Sequence, residues 1–298
     1  MSPELFLSEL VKGNHHKGGL KCLKLFDVNH NFFDNLQQEI TALIKANQPS
    51  DVKDKEHLSN WSNPYGDVMQ FSLLNRSGKF DDTSSDHDLT VAGKLFHHRE
   101  KYPTIARFID VFPHAYNMRI MGLGQKGGLS PHEEHIVIAH QKRGLKSYYS
   151  LRARFHLPII TNDQAELLIE NQIYHFTTGS IFFFNNGCIH SAYNRGTEPR
   201  YHLIWDMLLT QETFELMFSD EYHPLPDFLT KLIGQDRILV TRRQENIKEY
   251  QIMGRGKELY DLLKLNIFGI KPYIFQNLWN EWTYLKHHKF GKIEFFKI

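Results

Sequence analysis

Residues 179–208 read GSIFFFNNGCIHSAYNRGTEPRYHLIWDML, and the alternation in this stretch decides the fold. SIFFF is an apolar run closed by Asn185-Asn186-Gly187, and RGTEP at 195–199 is a second turn signal. In a strand, residues i and i+2 share a face. The last segment therefore sets Arg200, His202, Ile204 and Asp206 against Tyr201, Leu203, Trp205 and Met207. Working outward, YYSLRARFHLPII at 148–160 repeats the pattern, with Ser150, Arg152, Arg154 and His156 on one face and Leu151, Ala153, Phe155 and Leu157 on the other. AYNMRIMGL from 115, HIVIAH after the Gly-rich turn GQKGG, AELLIEN and QIYHF are further short strand-like runs between turns. Closely spaced strands of this kind predict an antiparallel sandwich or jelly roll rather than a βαβ sheet. Whether the polar faces meet water or line a ligand site inside a small barrel is left open by alternation alone.

Other textures flank this β region. LKCLKLFDV at 20–28 reads as a strand, and Asn29 to Asn47 as a helix with Phe33, Leu36, Ile40, Leu43 and Ile44 on one face, capped by Asn31 or Asp34. VMQFSLL at 68–74 reads as a strand between polar loops at 48–65 and 75–88, and residues 99–112 read as a helix. After residue 211 the segments, LPDFLTKLIG among them, look helical or mixed. The expected organisation is a β-rich unit with N-terminal strand and helix elements over 1–210, followed by a mostly helical unit over 211–298, so the fold class is mainly β with α.

Composition narrows the function. The 298 residues carry 35 Lys+Arg against 34 Asp+Glu, a net charge of +1, which argues against binding nucleic acid by broad phosphate neutralisation. The balance of 41% hydrophobic and 23% charged residues is that of a globular chain. The N-terminus MSPELFLSELVKG has neither the charge pattern nor the apolar run of a signal peptide or membrane anchor, and no stretch approaches 18 apolar residues. Two widely spaced cysteines, Cys22 and Cys188, suggest a reducing compartment. A soluble cytoplasmic protein is expected, with no nucleic-acid or membrane partner and an oligomeric state that the sequence leaves open.

The chemistry-bearing pattern is small. Pro131-His132-Glu133-Glu134-His135 contains H-x-E, and His190 follows a Gly-bracketed apolar strand. Two histidines and one carboxylate on one face are the donor set of non-haem Fe(II) oxygenases. Gly187, His190 and Asn194 fit the second motif of cupin-type double-stranded β-helices, with Asn185 in place of its proline. Arg200 comes ten residues after His190, where a guanidinium can pair with a distal carboxylate. H-x-[DE], a distant His and then Arg is the layout of 2-oxoglutarate oxygenases. The paired histidines His97-His98, His15-His16 and His287-His288 lack carboxylate partners and read as surface residues, which leaves most of the 18 histidines without a site argument.

RARFHLPI, SIFFFNNGCIHSAYN and PRYHLIWDM together resemble the aspartyl/asparaginyl β-hydroxylase superfamily, whose pattern is R-x-H-L, a distal His, then Arg ten later. Within it, the bacterial proline cis-hydroxylases are the most similar, and MQFSLLNRSGK at 69–79 resembles their early strand and turn. The resemblance implies a double-stranded β-helix (a cupin-like jelly roll), with His132, Glu134 and His190 as Fe(II) ligands. It implies 2-oxoglutarate as cosubstrate on Arg200 with help from His156, O2 as oxidant, and Arg154 facing the substrate at its carboxylate. The implied reaction is hydroxylation of an sp3 carbon of an amino acid, free or tethered to a carrier or peptide. Peptidyl aspartate or asparagine is the alternative substrate, and a non-catalytic cupin-like metal or small-molecule binder is the alternative from another class. Glu134 stands where the proline hydroxylases have Asp, and the segment before Arg154 is longer, which points away from proline as substrate.

Overall fold

The computed structural model describes residues 21–47, 68–84, 86, 93–112, 115–132, 134, 137–140, 148–169, 172–188, 190–208, 216–217 and 225–231. The N-terminal segment before residue 21, the 48–65 loop, part of the 75–88 loop and most of the helical unit expected over 211–298 lie outside these residues.

Strand β1 (Cys22–Val28) leads into helix α1 (His30–Ala46). The cap is Asn29, whose side chain accepts from Phe32 N at 3.3 Å, and not Asn31 or Asp34. The cap falls there because β1 runs directly into the first turn. Strand β2 (Val68–Ser72) precedes helix α2 (Pro103–Asp110). This helix starts later than its periodicity predicts, because a proline is favoured at the first helical position. Its free first-turn amides are satisfied from outside: Glu39 of α1 accepts from Thr104 N and Ile105 N at 2.9–3.0 Å. The remaining strands are β3 (Ala115–Leu123), β4 (Gly128–His132), β5 (Val137–His140), β6 (Tyr148–Ile160), β7 (Ala165–Ile169), β8 (Gln172–Tyr174), β9 (Ser180–Phe184), β10 (His190–Asn194), β11 (Arg200–Leu208) and β12 (Leu229–Lys231). β12 corrects the helical or mixed reading of LPDFLTKLIG: residues 229–231 pair antiparallel with β1.

All the pairings are antiparallel. The larger sheet runs β12-β1-β9-β6-β11-β3-β2, with β5 on β6, and the smaller runs β4-β10-β7-β8. This is the two-sheet jelly roll, or double-stranded β-helix. The larger sheet is buried on both faces. Its apolar face (Phe155, Leu157, Phe183, Leu203 and Trp205) joins Leu36, Ile40, Ile105 and Phe108 of the two helices in one core. Phe108 meets Trp205 edge-on at 5.5 Å, and Gln37 donates to Ile159 O at 2.6 Å. A second apolar cluster, including Val68, Leu123, Leu167, Phe182, Phe184 and Ala192, draws on both sheets and lies between them. Because the helices take the apolar face, the charged face is left to turn inward.

Two local irregularities shape that interior. Between Arg119–Ile204 and Tyr116–Asp206, β3 carries one residue more than β11, and Asn117 within this bulge adopts φ +50°. β4 carries a similar extra residue opposite β10 and tolerates Pro131 because it is an edge strand. A side chain at Gly128 would come within 2.9 Å of Ala192 O, so glycine permits the close approach of β4 to β10.

Candidate active site

His132 and His190 face each other across the β4–β10 ladder as directly opposed residues, with ring centroids 4.2 Å apart. Glu134 lies just past the end of β4. Its amide donates to Asn186 O at 2.8 Å in the turn that precedes His190, which folds the carboxylate back to the pair. One ligand atom from each of His132, Glu134 and His190 falls within 4.8 Å of the others. His190 Nδ1 lies 2.8 Å from Cys188 O. A carbonyl only accepts, so Nδ1 carries the proton and Nε2 presents its lone pair. Burial, and then the neighbouring His132, lower the His190 pKa to about 3, keeping it neutral. Neutral imidazole is the ligand form.

Glu134 is held from behind. Arg154 Nη1 donates to Oε1, while Arg154 Nη2 and Arg152 Nη2 donate to Oε2 at 2.9 and 2.8 Å. Burial alone would raise the Glu134 pKa, but the Arg154 and Arg152 charges overcome it and hold the carboxyl well below its ordinary range. Oε1 accepts a single guanidinium bond among these and keeps a lone pair for a metal. Two imidazoles and one ionised carboxylate make a donor set that fits Fe(II).

The same two arginines grip Asp206 on β11, which is wholly buried. Arg154 Nε and Nη2 donate to it at 2.8 and 3.0 Å, Arg152 Nη1 at 3.2 Å and Asn117 Nδ2 at 2.8 Å. Against the effect of burial, Arg154 and Arg152 pull its pKa down to about 2. Arg154 therefore lies where the sequence puts it, in the cavity wall, but its guanidinium is already shared between two carboxylates.

These groups open on a cavity of about 440 Å³ between the sheets. His132, Glu134, Arg154, His156, His190 and Arg200 all line it, so the fold brings together every site residue expected from sequence. Apolar walls come from Val68, Met121, Leu129, Leu167, Phe184 and Ala192. Arg200 is 4% exposed, and among the described residues no carboxylate pairs with it; burial lowers its pKa to about 10. His156 Nδ1 is 3.3 Å from His202 Nδ1, and each ring keeps a buried, unpartnered Nε2. Burial first, and then Arg200, push both rings far below the ordinary histidine pKa, so both are neutral.

Sequence reasoning assigned no role to Arg152, Asp206, Arg119 or Asn186. Strand parity was the available signal for the first two: each shares a face with a residue that the motifs single out. Arg119 is the lone charge in AYNMRIMGL. Asn194, part of the turn motif, is a staple rather than a site group, donating to Leu123 O, Gly124 O and Glu198 O.

Residues 31–209 match the Aspartyl/Asparaginyl beta-hydroxylase family model. No curated protein matches the sequence. Among solved structures, the non-heme monooxygenase ThoJ–nickel complex aligns over 67% of this chain and 76% of its own, at 9% identity and a TM-score of 0.35. The non-heme α-ketoglutarate-dependent epimerase SnoN from nogalamycin biosynthesis aligns over 77% and 96%, at 12% identity and 0.34. A Pseudomonas putida prolyl-4-hydroxylase aligns over 68% and 97%, at 10% identity and 0.28. Likenesses this distant carry no argument about chemistry.

Proposed function

The chain belongs to the aspartyl/asparaginyl β-hydroxylase family, and from that premise we propose that it is an Fe(II)- and 2-oxoglutarate-dependent hydroxylase acting on an sp3 carbon of an amino acid, free or tethered. The observation that carries this reading is Arg200, a buried cation without a carboxylate partner among the described residues, opening on the cavity that holds His132, Glu134 and His190. A buried guanidinium is costly unless an anion joins it, and the 5-carboxylate of 2-oxoglutarate is such an anion. The two histidines and Glu134 would hold the metal. Bound there, Fe(II) would supply the chemistry by which one atom of O2 enters a substrate C–H bond and the other enters succinate, formed from 2-oxoglutarate with loss of CO2.

The chain's own residues supply placement. Arg200 pairs bidentately with the distal carboxylate and fixes the cosubstrate's direction. The neutral His156–His202 pair offers one buried N–H donor and one bare nitrogen beside it, because a single proton occupies their shared Nδ1 contact. Arg152, Arg154 and Asp206 hold Glu134 at a set depth, and the apolar walls exclude water from the reacting carbon. The family name favours a second reading, in which the substrate is an aspartyl or asparaginyl residue of a peptide. Cys22 and Cys188, both buried and joined in no disulfide, support a reducing, cytoplasmic setting.

Succinate formation decides the matter. With Fe(II) and O2, wild-type protein should convert 2-oxoglutarate to succinate, and a screen of the twenty amino acids and of Asp- and Asn-containing peptides should find one that gains a single oxygen by mass. Binding of Fe(II) without succinate from any of these would favour the non-catalytic binder. Failure to take up Fe(II) would overturn the site itself.

A further inference from the structure

A second cation in the cavity has no carboxylate partner among the described residues. Arg119 on β3 is 9% exposed and lines the cavity together with Gln70, Thr83 and Glu134. Its Nη1 donates to Gln70 Oε1 at 2.6 Å, its Nε is buried without a partner, and among the described residues no carboxylate lies within ion-pair distance. Burial, then the nearby Arg154, lower its pKa, as expected of a guanidinium short of anions. Among the acids, Glu134 and then Asp206 act on it most, but both are already held by Arg152 and Arg154; Asp86, the next, is itself buried, accepts from Ser72 Oγ at 2.6 Å, and is pushed by burial up to about 6. Arg119 and Arg200 are separate sites. Arg119 pairs across the ladder with Ile204, and Arg200 with Leu123, four residues further along β3 and roughly 13 Å away at strand spacing.

Counted by charge, four guanidiniums (Arg119, Arg152, Arg154 and Arg200) meet at most three carboxylates, Glu134, Asp206 and Asp86, among the described residues. On the reading given above, an Fe(II) ion and a 2-oxoglutarate dianion cancel one another, and the excess of at least one positive charge remains. The cosubstrate cannot remove it: one of its carboxylates belongs to the metal and the other to Arg200. Arg154 is the poorer anchor for the substrate, since four of its five N–H groups are already bonded to Glu134 and Asp206 and its charge is shared between those two carboxylates.

We propose that Arg119, steadied by Gln70, is a carboxylate-binding subsite distinct from Arg200, and that it receives a carboxylate of the substrate. This inference rests on the oxygenase reading for the identity of the ligand but not for the existence of the subsite. An anchor at this point fixes which substrate carbon faces the metal, so Arg119 is a specificity-determining residue.

Two measurements test it. In saturation-transfer NMR on 2-oxoglutarate-saturated protein, acetate should receive saturation and acetamide should not, and the acetate signal should disappear in Arg119→Gln. In turnover, Arg119→Gln should raise the KM of the stimulating amino acid or peptide about 10- to 100-fold, the loss expected for a charged hydrogen-bonded pair. The KM for 2-oxoglutarate should stay within about twofold, and Arg119→Lys should recover part of the loss. A purely structural arginine would behave differently: its removal would lower the melting temperature, whereas Arg119→Gln should leave the ligand-free protein as stable or more stable. Acetate binding unchanged by the substitution, an amide substrate as good as its acid, or a rise in the 2-oxoglutarate KM alone would overturn the subsite. Carboxylate binding that depends on Arg119 in a protein that forms no succinate would instead overturn the oxygenase reading and keep the subsite.

Discussion

Replacing Asp206 by Asn should be among the most damaging single-atom changes available in this fold. The carboxylate is wholly buried and accepts three guanidinium bonds, from Arg154 Nε at 2.8 Å, Arg154 Nη2 at 3.0 Å and Arg152 Nη1 at 3.2 Å, and a fourth bond from Asn117. An amide keeps one acceptor but turns two N–H groups toward guanidiniums that can only donate. It also leaves two buried cations with Glu134 as their remaining carboxylate. Removing one member of a buried ionic cluster costs about 3–5 kcal/mol. At about 2–4 °C per kcal/mol for a domain of this size, the melting temperature should fall by about 6–20 °C. Urea denaturation should register the loss as a lower midpoint with an unchanged slope. In addition, Arg152 and Arg154 are no longer drawn away from Glu134 and compete harder for its oxygens. Uptake of Zn(II), a redox-inert probe, should therefore weaken by about tenfold or more, in line with other outer-shell losses at metal sites. A cost under about 1 kcal/mol with Zn(II) affinity intact would refute the reasoning, because it would mean that the cluster is solvated and Asp206 is not its counterweight.

Other outcomes follow from the same geometry. Arg200→Ala should raise the 2-oxoglutarate concentration needed for half-maximal succinate formation by at least about tenfold, the value of one charged pair; an unchanged requirement would remove Arg200 from the cosubstrate site. His132→Ala combined with His190→Ala should abolish metal uptake measured by elemental analysis, and metal content equal to wild type would place the ion elsewhere. For the metal-free protein, His156 and His202 set an acid limit. Both are held neutral with pKa values depressed below the unfolded value of about 6.5, so below that pH the unfolded chain binds protons that the folded chain refuses. Their stability contribution is present above about pH 6.5 and is lost as pH falls, by about 1.4 kcal/mol per pH unit for each ring. Urea midpoints at pH 7, 6 and 5 should show this, and His202→Gln should flatten the slope by one ring's share. Glu39→Ala, which strips the cap from Thr104 N and Ile105 N, should cost about 1 kcal/mol, seen as a melting-temperature drop of about 2–4 °C.

Much of the site was legible because its signals are local. His132 and Glu134 sit two apart, His190 follows a glycine turn, and Arg200 opens the next long strand. Alternation likewise located β3, β6 and β11, and an apolar run bounded by turns located β9. The strands carrying the two histidines were harder to read. GLSPH and HSAYN have few β-forming residues and include proline, glycine and serine. They are strands because each has a neighbour, with His190 opposite His132 on one side and opposite Ile169 on the other. Pairing of this kind is a long-range property, and no window of sequence contains it.

By itself, then, the sequence determined the jelly-roll class, the parity of each long strand and the trio His132, Glu134 and His190 that the fold gathers within 4.8 Å, because strand period and motif spacing are fixed by covalent geometry. Tertiary structure decided which face of the larger sheet turns inward. The apolar face could have formed the interior, but the Phe- and Ile-rich sides of α1 and α2 cover it from outside, and the charged face closes on the cavity. Structure also decided which anions each arginine meets. Sequence made Arg154 a substrate residue and left Arg119 unassigned. Once folded, Arg154 is shared between Glu134 and Asp206 while Arg119 has no carboxylate partner among the described residues. The physical reason is that a guanidinium's function depends on which anions the fold places beside it, and those come from strands more than fifty residues apart, Arg154 on β6 and Asp206 on β11.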